Sequence, residues 1–182
     1  MKYPKIRSTT ILGVRTKGKV AVAGDGQVTF GDMAMKQKAV KVRKFDSEKG
    51  GIVGGFAGAA ADALTLFEKF EQKLDEYEGD LKRSVVEMAK DWRTDKMLRH
   101  LEALLLVMDK RNSFIIAGDG NVIEPDSPIV AIGSGGGFAQ AAATAFHQSG
   151  KLSAKQIVEK SLKIASDMCI YTNDSITVLE IK

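Results

Sequence analysis

The sequence predicts an α+β fold in which two β-sheets lie face to face between outer layers of helices, a four-layer αββα sandwich. Three observations lead to this prediction: strand-like segments open each half of the chain, helical segments follow them, and a strand-like segment closes the chain. Consecutive strands joined by tight turns pair antiparallel, and an amphipathic helix buries a single face. Stacked sheets with helices on the outside meet both requirements.

The first half contains four strand-like segments, which are residues 9–15, 20–24, 40–45 and 51–56. Residues 16–19 form a turn, so the first two strands make a β-hairpin. The third strand alternates apolar and basic residues, which places Lys41 and Arg43 on one face and Val40 and Val42 on the other. The fourth is glycine-rich, which is typical of a strand that another part of the backbone approaches closely.

Apolar residues spaced three and four apart predict helices after each group of strands. The first stripe is Ala60, Ala63, Leu64, Phe67, Phe70 and Leu74, and the second is Leu81, Val85, Met88 and Trp92. In the second half we expect strands at residues 104–109, 113–117, 129–132 and 175–181, with turns at 109–112 and 118–121. A helix of small residues spans 138–148. Ser153 caps a further helix to Met168, whose inward residues are Ile157, Leu162, Ala165 and Met168.

Composition limits the classes of protein that need to be considered. The 182 residues suit one domain, 44% of them are hydrophobic, and no run approaches the ~18 apolar residues of a membrane span. The N-terminus is charged with no apolar region behind it, so we expect no secretory signal and a cytoplasmic location. The single cysteine agrees with a reducing compartment. The net charge of +4 does not by itself argue for nucleic acid.

Few side chains are available for the commonest catalytic arrangements. The two histidines, His100 and His147, leave little for a Ser-His-Asp triad or a histidine metal site, and we expect both at the surface. Cys169 has no evident histidine partner, so we interpret it as a small core residue rather than a nucleophile. The two Asp-Gly pairs, at 25–26 and 119–120, favour turns, and nothing local marks Asp25 as catalytic.

Two segments leave other functions open. The glycine-rich residues 132–138 follow a strand and open a helix, as a phosphate-binding loop does, but the dinucleotide and P-loop patterns both fail. A tight strand-to-helix turn is therefore favoured, and any ATP must be bound by a partner. The basic stretch 36–44 is a nucleic-acid strip, a solvated face or the source of a lysine aimed into a site. Aromatic residues for stacking on bases are scarce there.

Nine segments follow one another in an order and at spacings that point to a single family. They include Thr-Thr-Ile-Leu-Gly-Val at 9–14, Ala-Gly-Asp-Gly-Gln at 23–27, Val-Arg-Lys after Lys41, Gly-Phe-Ala-Gly at 55–58, Ile-Gly-Ser-Gly-Gly at 132–136 and Cys-Ile-Tyr-Thr-Asn at 169–173. Together they resemble the HslV (ClpQ) family, bacterial relatives of the proteasome β-subunit. The resemblance implies an αββα sandwich of the N-terminal-nucleophile hydrolase type. It also implies a threonine endopeptidase that degrades unfolded proteins.

The resemblance assigns catalytic roles to five residues. The nucleophile would be the hydroxyl of Thr9, and its own α-amino group, with an ordinary pKa of about 7.7–8.0, would be the base. Lys41 would lie against Thr9 and lower that pKa, while Asp25 would keep Lys41 charged and oriented. Ser134 would hydrogen-bond the amine or a bridging water, and the N–H of Gly55 would stabilise the oxyanion.

The family also implies a bound ion, an assembly and a partner. A sodium ion would be held by the main-chain oxygens of Ser166, Cys169 and Thr172. The assembly would be a homododecamer of two stacked hexameric rings, capped and activated by the hexameric ATPase HslU. In this division of labour the present chain binds no nucleotide, and neither nucleic acid nor a membrane is an expected partner.

The N-terminus departs from the family pattern, because in many members the threonine directly follows the initiator methionine. Here eight residues precede Thr9, so we expect residues 1–8 to be a removable extension and residues 9–182 to be a single protease domain. Thr10 is adjacent, and the family motif begins at the first threonine. Two extra residues within 46–51 leave the later motifs intact.

Intact mass and N-terminal sequencing of the purified, assembled protein test this expectation directly. We expect a chain that begins at Thr9, because only removal of residues 1–8 creates the α-amino base. A chain that still begins at Met1 or Lys2 would contradict removal of the extension.

Overall fold

The computed structural model describes residues 6–7, 9–47, 50–58, 60–94, 103–117 and 119–181. The strands are β1 (Ile6–Arg7), β2 (Thr10–Thr16), β3 (Lys19–Gly24), β4 (Val28–Phe30), β5 (Met33–Lys36), β6 (Val42–Phe45), β7 (Ile52–Gly58), β8 (Ala103–Met108), β9 (Ser113–Ala117), β10 (Val122–Ile123), β11 (Ile129–Gly133) and β12 (Thr177–Ile181). The helices are α1 (Ala60–Glu76), α2 (Leu81–Thr94), α3 (Gly136–Gln148) and α4 (Ala154–Met168). Within the described ranges no helix is long and apolar enough to cross a bilayer.

Two antiparallel sheets form the centre of the molecule. One has five strands in the order β10-β9-β8-β7-β6, and the other has four in the order β11-β2-β3-β12. In the hairpin of β2 and β3, Ile11 pairs with Gly24 and Thr16 with Lys19, which confirms the first predicted hairpin. A separate three-stranded sheet joins β1, β4 and β5.

Three apolar clusters show how the layers stack. The first joins α1 and α2 to the five-stranded sheet and includes the fully buried Phe70 and Trp92. The second joins α3 and α4 to the four-stranded sheet around Leu12 and Leu162. The third lies between the two sheets and includes Leu106. The order of layers is therefore helices, sheet, sheet, helices, which confirms the predicted four-layer sandwich.

The four helices form where the apolar spacing predicts them, and α4 also begins where its cap predicts. The Ser153 hydroxyl accepts a hydrogen bond from the Gln156 N–H, and the Gln156 side chain accepts one from the Ser153 N–H. This reciprocal pair satisfies two backbone donors that the start of a helix otherwise leaves free. The inward position predicted for Met168 is wrong. Its side chain is 59% exposed because α4 ends there, and Cys169 takes the next buried position.

The alternation predicted for residues 40–45 is wrong at its start, because β6 begins only at Val42. Lys41 and Val42 are both buried, whereas Val40 is 68% exposed. Arg43 faces α1, where it pairs with Glu71 at 3.0 Å. The Lys41 side chain points instead toward the other sheet, because its buried ammonium pairs with Asp25 there. This ion pair, and not the alternation of the strand, sets its direction.

The sequence pattern also missed four short strands, namely β1, β4, β5 and β10. They have two to four residues each, too few for a period to emerge. All four residues of β5 are exposed, so no alternation of burial marks it. Strands are recognisable from sequence when one face is buried. The exposed strand β5, which pairs with β4, lacks that signal.

Replacement of Phe70 by alanine tests the first cluster. Phe70 is fully buried, with its ring edge-on to Phe45 at a centroid distance of 5.0 Å. We expect Phe70→Ala to lower the free energy of unfolding by roughly 3–5 kcal/mol, measured by urea denaturation, because it leaves a cavity. The matched change Phe138→Ala, at a site 40% exposed, should cost about 0.5 kcal/mol or less. Equal losses in the two variants would contradict this account of the core.

Candidate active site

Thr9 lies immediately before β2, at one end of the interface between the sheets. Its side chain is completely buried, and its hydroxyl has no hydrogen-bond partner among the described residues. Its φ is +130°, a backbone conformation that β-branched residues rarely adopt. Buried polar groups normally find partners, and strained backbone is concentrated at functional sites. Both observations mark Thr9 as a functional candidate.

The glycine-rich segment packs directly against Thr9. The Ser134 N–H donates to the Thr9 carbonyl at 2.9 Å. Gly133 has φ +91°, and a Cβ there would lie 2.0 Å from the same carbonyl oxygen, so only glycine fits. Because β11 ends at Gly133 and α3 begins at Gly136, the interpretation as a tight strand-to-helix turn is confirmed.

Asp25 and Lys41 form an ion pair in the interior. The Lys41 Nζ donates to the Asp25 Oδ1 at 2.9 Å, and their side chains are 2% and 0% exposed. Burial lowers the pKa of Lys41, and the charge and hydrogen bond of Asp25 oppose that shift. The carboxylate also accepts from the N–H groups of Thr10 at 2.8 Å and Gln27 at 2.9 Å. These three hydrogen bonds to the carboxylate make the pair a fixed electrostatic element rather than a loose surface contact.

The predicted turn at Asp25-Gly26 is wrong, whereas Asp119-Gly120 lies in the predicted turn between β9 and β10. The chain after β3 leaves the four-stranded sheet and enters the separate sheet at β4, so no hairpin forms at Asp25. The partner that makes this aspartate important, Lys41, is sixteen residues away. No local sequence pattern carries that information.

The structure brings Thr9, Asp25, Lys41 and Ser134 to one place. The Asp25 Oδ1 accepts both the Lys41 ammonium and the backbone N–H of Thr10. The ammonium therefore lies beside the backbone of the residue that follows Thr9, on the side opposite the Ser134 contact. A positive charge here favours the neutral, proton-accepting form of an amine at position 9.

Gly55 has a different environment from the other four residues. It lies inside β7, paired with Val42 on one side and Leu106 on the other. The Phe56 N–H donates to the Lys41 carbonyl at 3.1 Å, so the neighbouring Gly55 N–H points the opposite way, toward β8. A Cβ at Gly55 would lie 2.7 Å from the Ile11 side chain. Close packing of the two sheets thus accounts for this glycine by itself.

The end of β7 offers a second backbone donor that the sequence did not single out. Gly58 lies two residues beyond Phe56, so its N–H points to the same side of β7, toward β6. The pairing of the two strands ends at Val42 and Gly55, so the Gly58 N–H lies beyond the paired part of β6. The neighbouring Ala57 side chain lies 3.3 Å from where a Gly133 Cβ would be, in the wall around the Thr9 carbonyl. The φ of +142° at Gly58 was not visible in the sequence.

The segment after α4 covers Thr10. The Thr10 and Thr172 hydroxyls hydrogen-bond at 2.7 Å, and the Gly135 N–H donates to the Thr10 hydroxyl at 2.9 Å. Cys169 is 8% exposed, which agrees with its interpretation as a small core residue. This segment ties the end of α4 to the start of β2.

The three residues expected to hold sodium lie at and just after the C-terminal end of α4. Ser166 lies in the last turn of α4, Cys169 caps that helix, and Thr172 follows in the turn that its N–H closes onto the Cys169 carbonyl. Carbonyl oxygens suit hard cations, and the negative end of a helix dipole favours positive charge. No cluster of three metal-binding side chains occurs in the described part of the chain.

The remaining candidates lie apart from this constellation. His147 is half-buried near the end of α3, and His100 lies outside the described residues. The basic stretch does not form one surface, because Lys41 is buried and Arg43 pairs with Glu71, while Lys36 and Lys38 are exposed.

Removal of one member of the ion pair should be costly for folding. Asp25→Asn leaves the Lys41 ammonium buried without its counter-ion, so we expect a loss of about 3–5 kcal/mol in the free energy of unfolding at pH 7. In the variant, the pKa of Lys41 falls further below its usual 10.5. At a pH between the lowered pKa of Lys41 in the folded variant and its ordinary pKa of 10.5 in the unfolded chain, Lys41 is protonated only in the unfolded chain. The loss in the free energy of unfolding should therefore shrink as pH rises toward 10.5.

Urea denaturation across that pH range measures both effects. The double change Asp25→Asn with Lys41→Met should recover much of the lost stability, because no buried charge is left unpaired. A double variant as unstable as Asp25→Asn alone would contradict the role given to this pair.

Comparisons with known proteins bear on the family of this chain. The family model described as "Proteasome subunit" matches residues 6–181. The ATP-dependent protease subunit HslV of Aquifex aeolicus is 55% identical over 97% of this chain and 99% of its own length. The subunit of the same name from Treponema denticola is 57% identical over 97% and 98%.

Solved structures extend the comparison to the fold. The crystal structure of eukaryotic HslV from Trypanosoma brucei superposes with a TM-score of 0.87 at 44% identity, covering 94% of this chain and 98% of that one. Thiobacillus denitrificans BPH in complex with epoxomicin gives a TM-score of 0.71 at 20% identity over 95% and 98%, which shows a shared fold alone. The chain therefore belongs to the proteasome subunit family, within its group of HslV ATP-dependent protease subunits.

Proposed function

We propose that Thr9 is the nucleophile of a threonine endopeptidase, and that this chain is the proteolytic subunit of an ATP-dependent protease. The observation that carries the proposal is the buried Thr9 hydroxyl, which has no partner among the described residues, beside a buried Asp25–Lys41 pair. A hydroxyl is a weak nucleophile at neutral pH and needs a base within reach. An amine at position 9 would supply it in the same residue.

The reaction follows from these groups. The free Thr9 amine takes the proton of its own hydroxyl as the oxygen attacks the peptide carbonyl, which forms a tetrahedral oxyanion. The amine then gives the proton to the departing amino group, and the C–N bond breaks to leave an acyl ester on Thr9. A water molecule, deprotonated by the same amine, attacks the ester and releases the second product with the hydroxyl restored.

The surrounding residues tune that chemistry. The Lys41 ammonium lowers the pKa of the Thr9 amine, so that more of it is neutral at a given pH. Asp25 holds Lys41 in its charged form, and the Ser134 hydroxyl hydrogen-bonds the amine or a bridging water. The Gly55 N–H, which was expected to stabilise the oxyanion, points toward β8 inside the sheet, so we propose the N–H of Gly58 for this role instead.

Removal of residues 1–8 precedes catalysis in this scheme. The Thr9 hydroxyl attacks the carbonyl of residue 8, the peptide nitrogen leaves as the new α-amine, and water hydrolyses the resulting ester. The strained φ at Thr9, together with a hydroxyl that has no partner within the described ranges, favours such a self-cleavage. Residue 8 and most of the extension lie outside the described residues.

We further propose the setting in which the subunit works. Two stacked hexameric rings would enclose the Thr9 sites in a cytoplasmic homododecamer. The hexameric ATPase HslU would hydrolyse ATP and deliver unfolded proteins. A sodium ion at the carbonyl oxygens of Ser166, Cys169 and Thr172 would brace the turn that contacts Thr10. The near full-length likeness to ATP-dependent protease subunits supports the partnership with an ATPase.

Replacement of Thr9 by alanine tests the proposed function. We expect hydrolysis of a fluorogenic peptide by the assembled protein with its ATPase to fall below detection, because the variant lacks the attacking oxygen. Circular dichroism should still show a folded protein, since the substitution removes no side-chain hydrogen bond among the described residues.

The matched control is Thr16→Ala, at the opposite end of β2, which should keep wild-type activity. Hydrolysis retained by a folded Thr9→Ala variant at the wild-type rate would rule out Thr9 as the nucleophile.

A further inference from the structure

Asn173 joins three segments that meet around the ion pair. It lies half-buried between α4 and β12, outside the residues assigned a role above. Its Oδ1 accepts from the N–H groups of Gly26 at 3.0 Å and Ser175 at 3.2 Å. Its Nδ2 donates to the main-chain carbonyl of Gln37 at 2.9 Å and to the side-chain oxygen of Gln37 at 2.7 Å. Every polar atom of the amide is therefore in use.

The first of these contacts holds the peptide that follows Asp25. The Asn173 Oδ1 fixes the Gly26 N–H, and the backbone N–H of Asn173 itself lies 3.4 Å from the Asp25 Oδ2. The Gln27 N–H donates to that same oxygen. The direction of the carboxylate thus depends on a short stretch of backbone that Asn173 anchors from outside.

The second contact holds the segment that leads to Lys41. Gly26 and Gln37 pack so closely that a Cβ on Gly26 would lie 2.3 Å from the Gln37 carbonyl oxygen. The Ala39 N–H donates to the Gly26 carbonyl at 2.9 Å, two residues before Lys41. By binding Gly26 and Gln37 together, one side chain fixes the backbone on both sides of the pair.

We propose that Asn173 is a positioning residue for activation of the Thr9 nucleophile, acting through Asp25 and Lys41. It touches neither Thr9 nor the place of the scissile bond. Loss of its amide lets the two segments separate, which moves the ammonium away from Thr9 while the substrate-binding surfaces remain. The inference rests on the proposed peptidase function, and it places the effect on kcat rather than on KM.

The experiment compares Asn173→Ala with Asn112→Ala in the assembled, processed protein. Asn112 is also half-buried and bonded in a turn, but at the opposite end of the sandwich. We expect kcat for a fluorogenic peptide to fall roughly tenfold or more in Asn173→Ala, with KM within about twofold, because small displacements of a catalytic group cost large factors in rate. Asn112→Ala should match the wild type.

A double variant distinguishes a positioning role of Asn173 from a general destabilisation of the fold. If Asn173 acts through Asp25, adding Asn173→Ala to Asp25→Asn should lower kcat no further than Asp25→Asn alone. Fully additive losses, or a single variant with wild-type kcat, would overturn the proposal. A loss of activity that only tracks the fraction of unfolded protein in thermal unfolding would overturn it as well.

Asn173→Asp covers the case in which the alanine variant does not fold. It keeps the oxygen that accepts from Gly26 but replaces the donor to the Gln37 carbonyl with an acceptor, so kcat should still fall several-fold. Wild-type kcat in this variant would overturn the proposal. Wild type and Thr9→Ala are assayed beside it. An inactive wild type that begins at Thr9 would refute the proposed function, whereas an active wild type with an unaffected Asn173 variant would refute this inference alone.

Discussion

A lysine ammonium buried between two sheets is tolerable only when an opposite charge is fixed beside it, and the geometry around Thr9 follows from how this chain supplies that charge. Asp25 is held by N–H groups from Thr10 and Gln27 as well as by Lys41. Transfer of either charge from water to the interior costs several kcal/mol, of the order of the stability of a whole domain. The segments that carry these partners must therefore be ordered for the pair to be buried stably.

The close approach of the two sheets is the second constraint on the site. A Cβ at Gly13 would lie 2.2 Å from the Met108 sulfur, and one at Gly55 would lie 2.7 Å from the Ile11 side chain, in each case across the interface between the sheets. Side chains at these positions would push the sheets apart. Since Thr9 enters from one sheet and its surrounding wall includes β7 of the other, their separation sets how closely the wall can approach the nucleophile. Small residues thus position the chemistry without taking part in it.

The layers and the chemistry differ in how far sequence alone predicts them. The helices and their order were predictable because apolar spacing is local, as the stripe of Phe67 and Phe70 and the cap at Ser153 illustrate. The inward direction of the Lys41 side chain was not predictable. Local alternation assigns Lys41 to the same face as Arg43, and its partner Asp25 is sixteen residues away. The site residues were named only through resemblance to a family. Asn173 entered as one letter of a motif, and its contacts with Gly26 and Gln37 join parts of the chain that no local pattern connects.

The strain at Thr9 links the fold to its own maturation. The φ of +130° is a torsion about the bond between the nitrogen and Cα of Thr9, and it is defined by the carbonyl of residue 8. An unusual torsion of this kind costs on the order of 1–3 kcal/mol, which the surrounding structure must impose. Here the Ser134 N–H donates to the Thr9 carbonyl and Gly133 packs against it. The residues that follow Thr9 are fixed in β2. Cleavage before Thr9 removes the atom that defines the torsion and with it the strain. The packing that distorts the uncut chain therefore favours the cut one, in which the nitrogen becomes the amine that the Asp25–Lys41 pair is placed to tune.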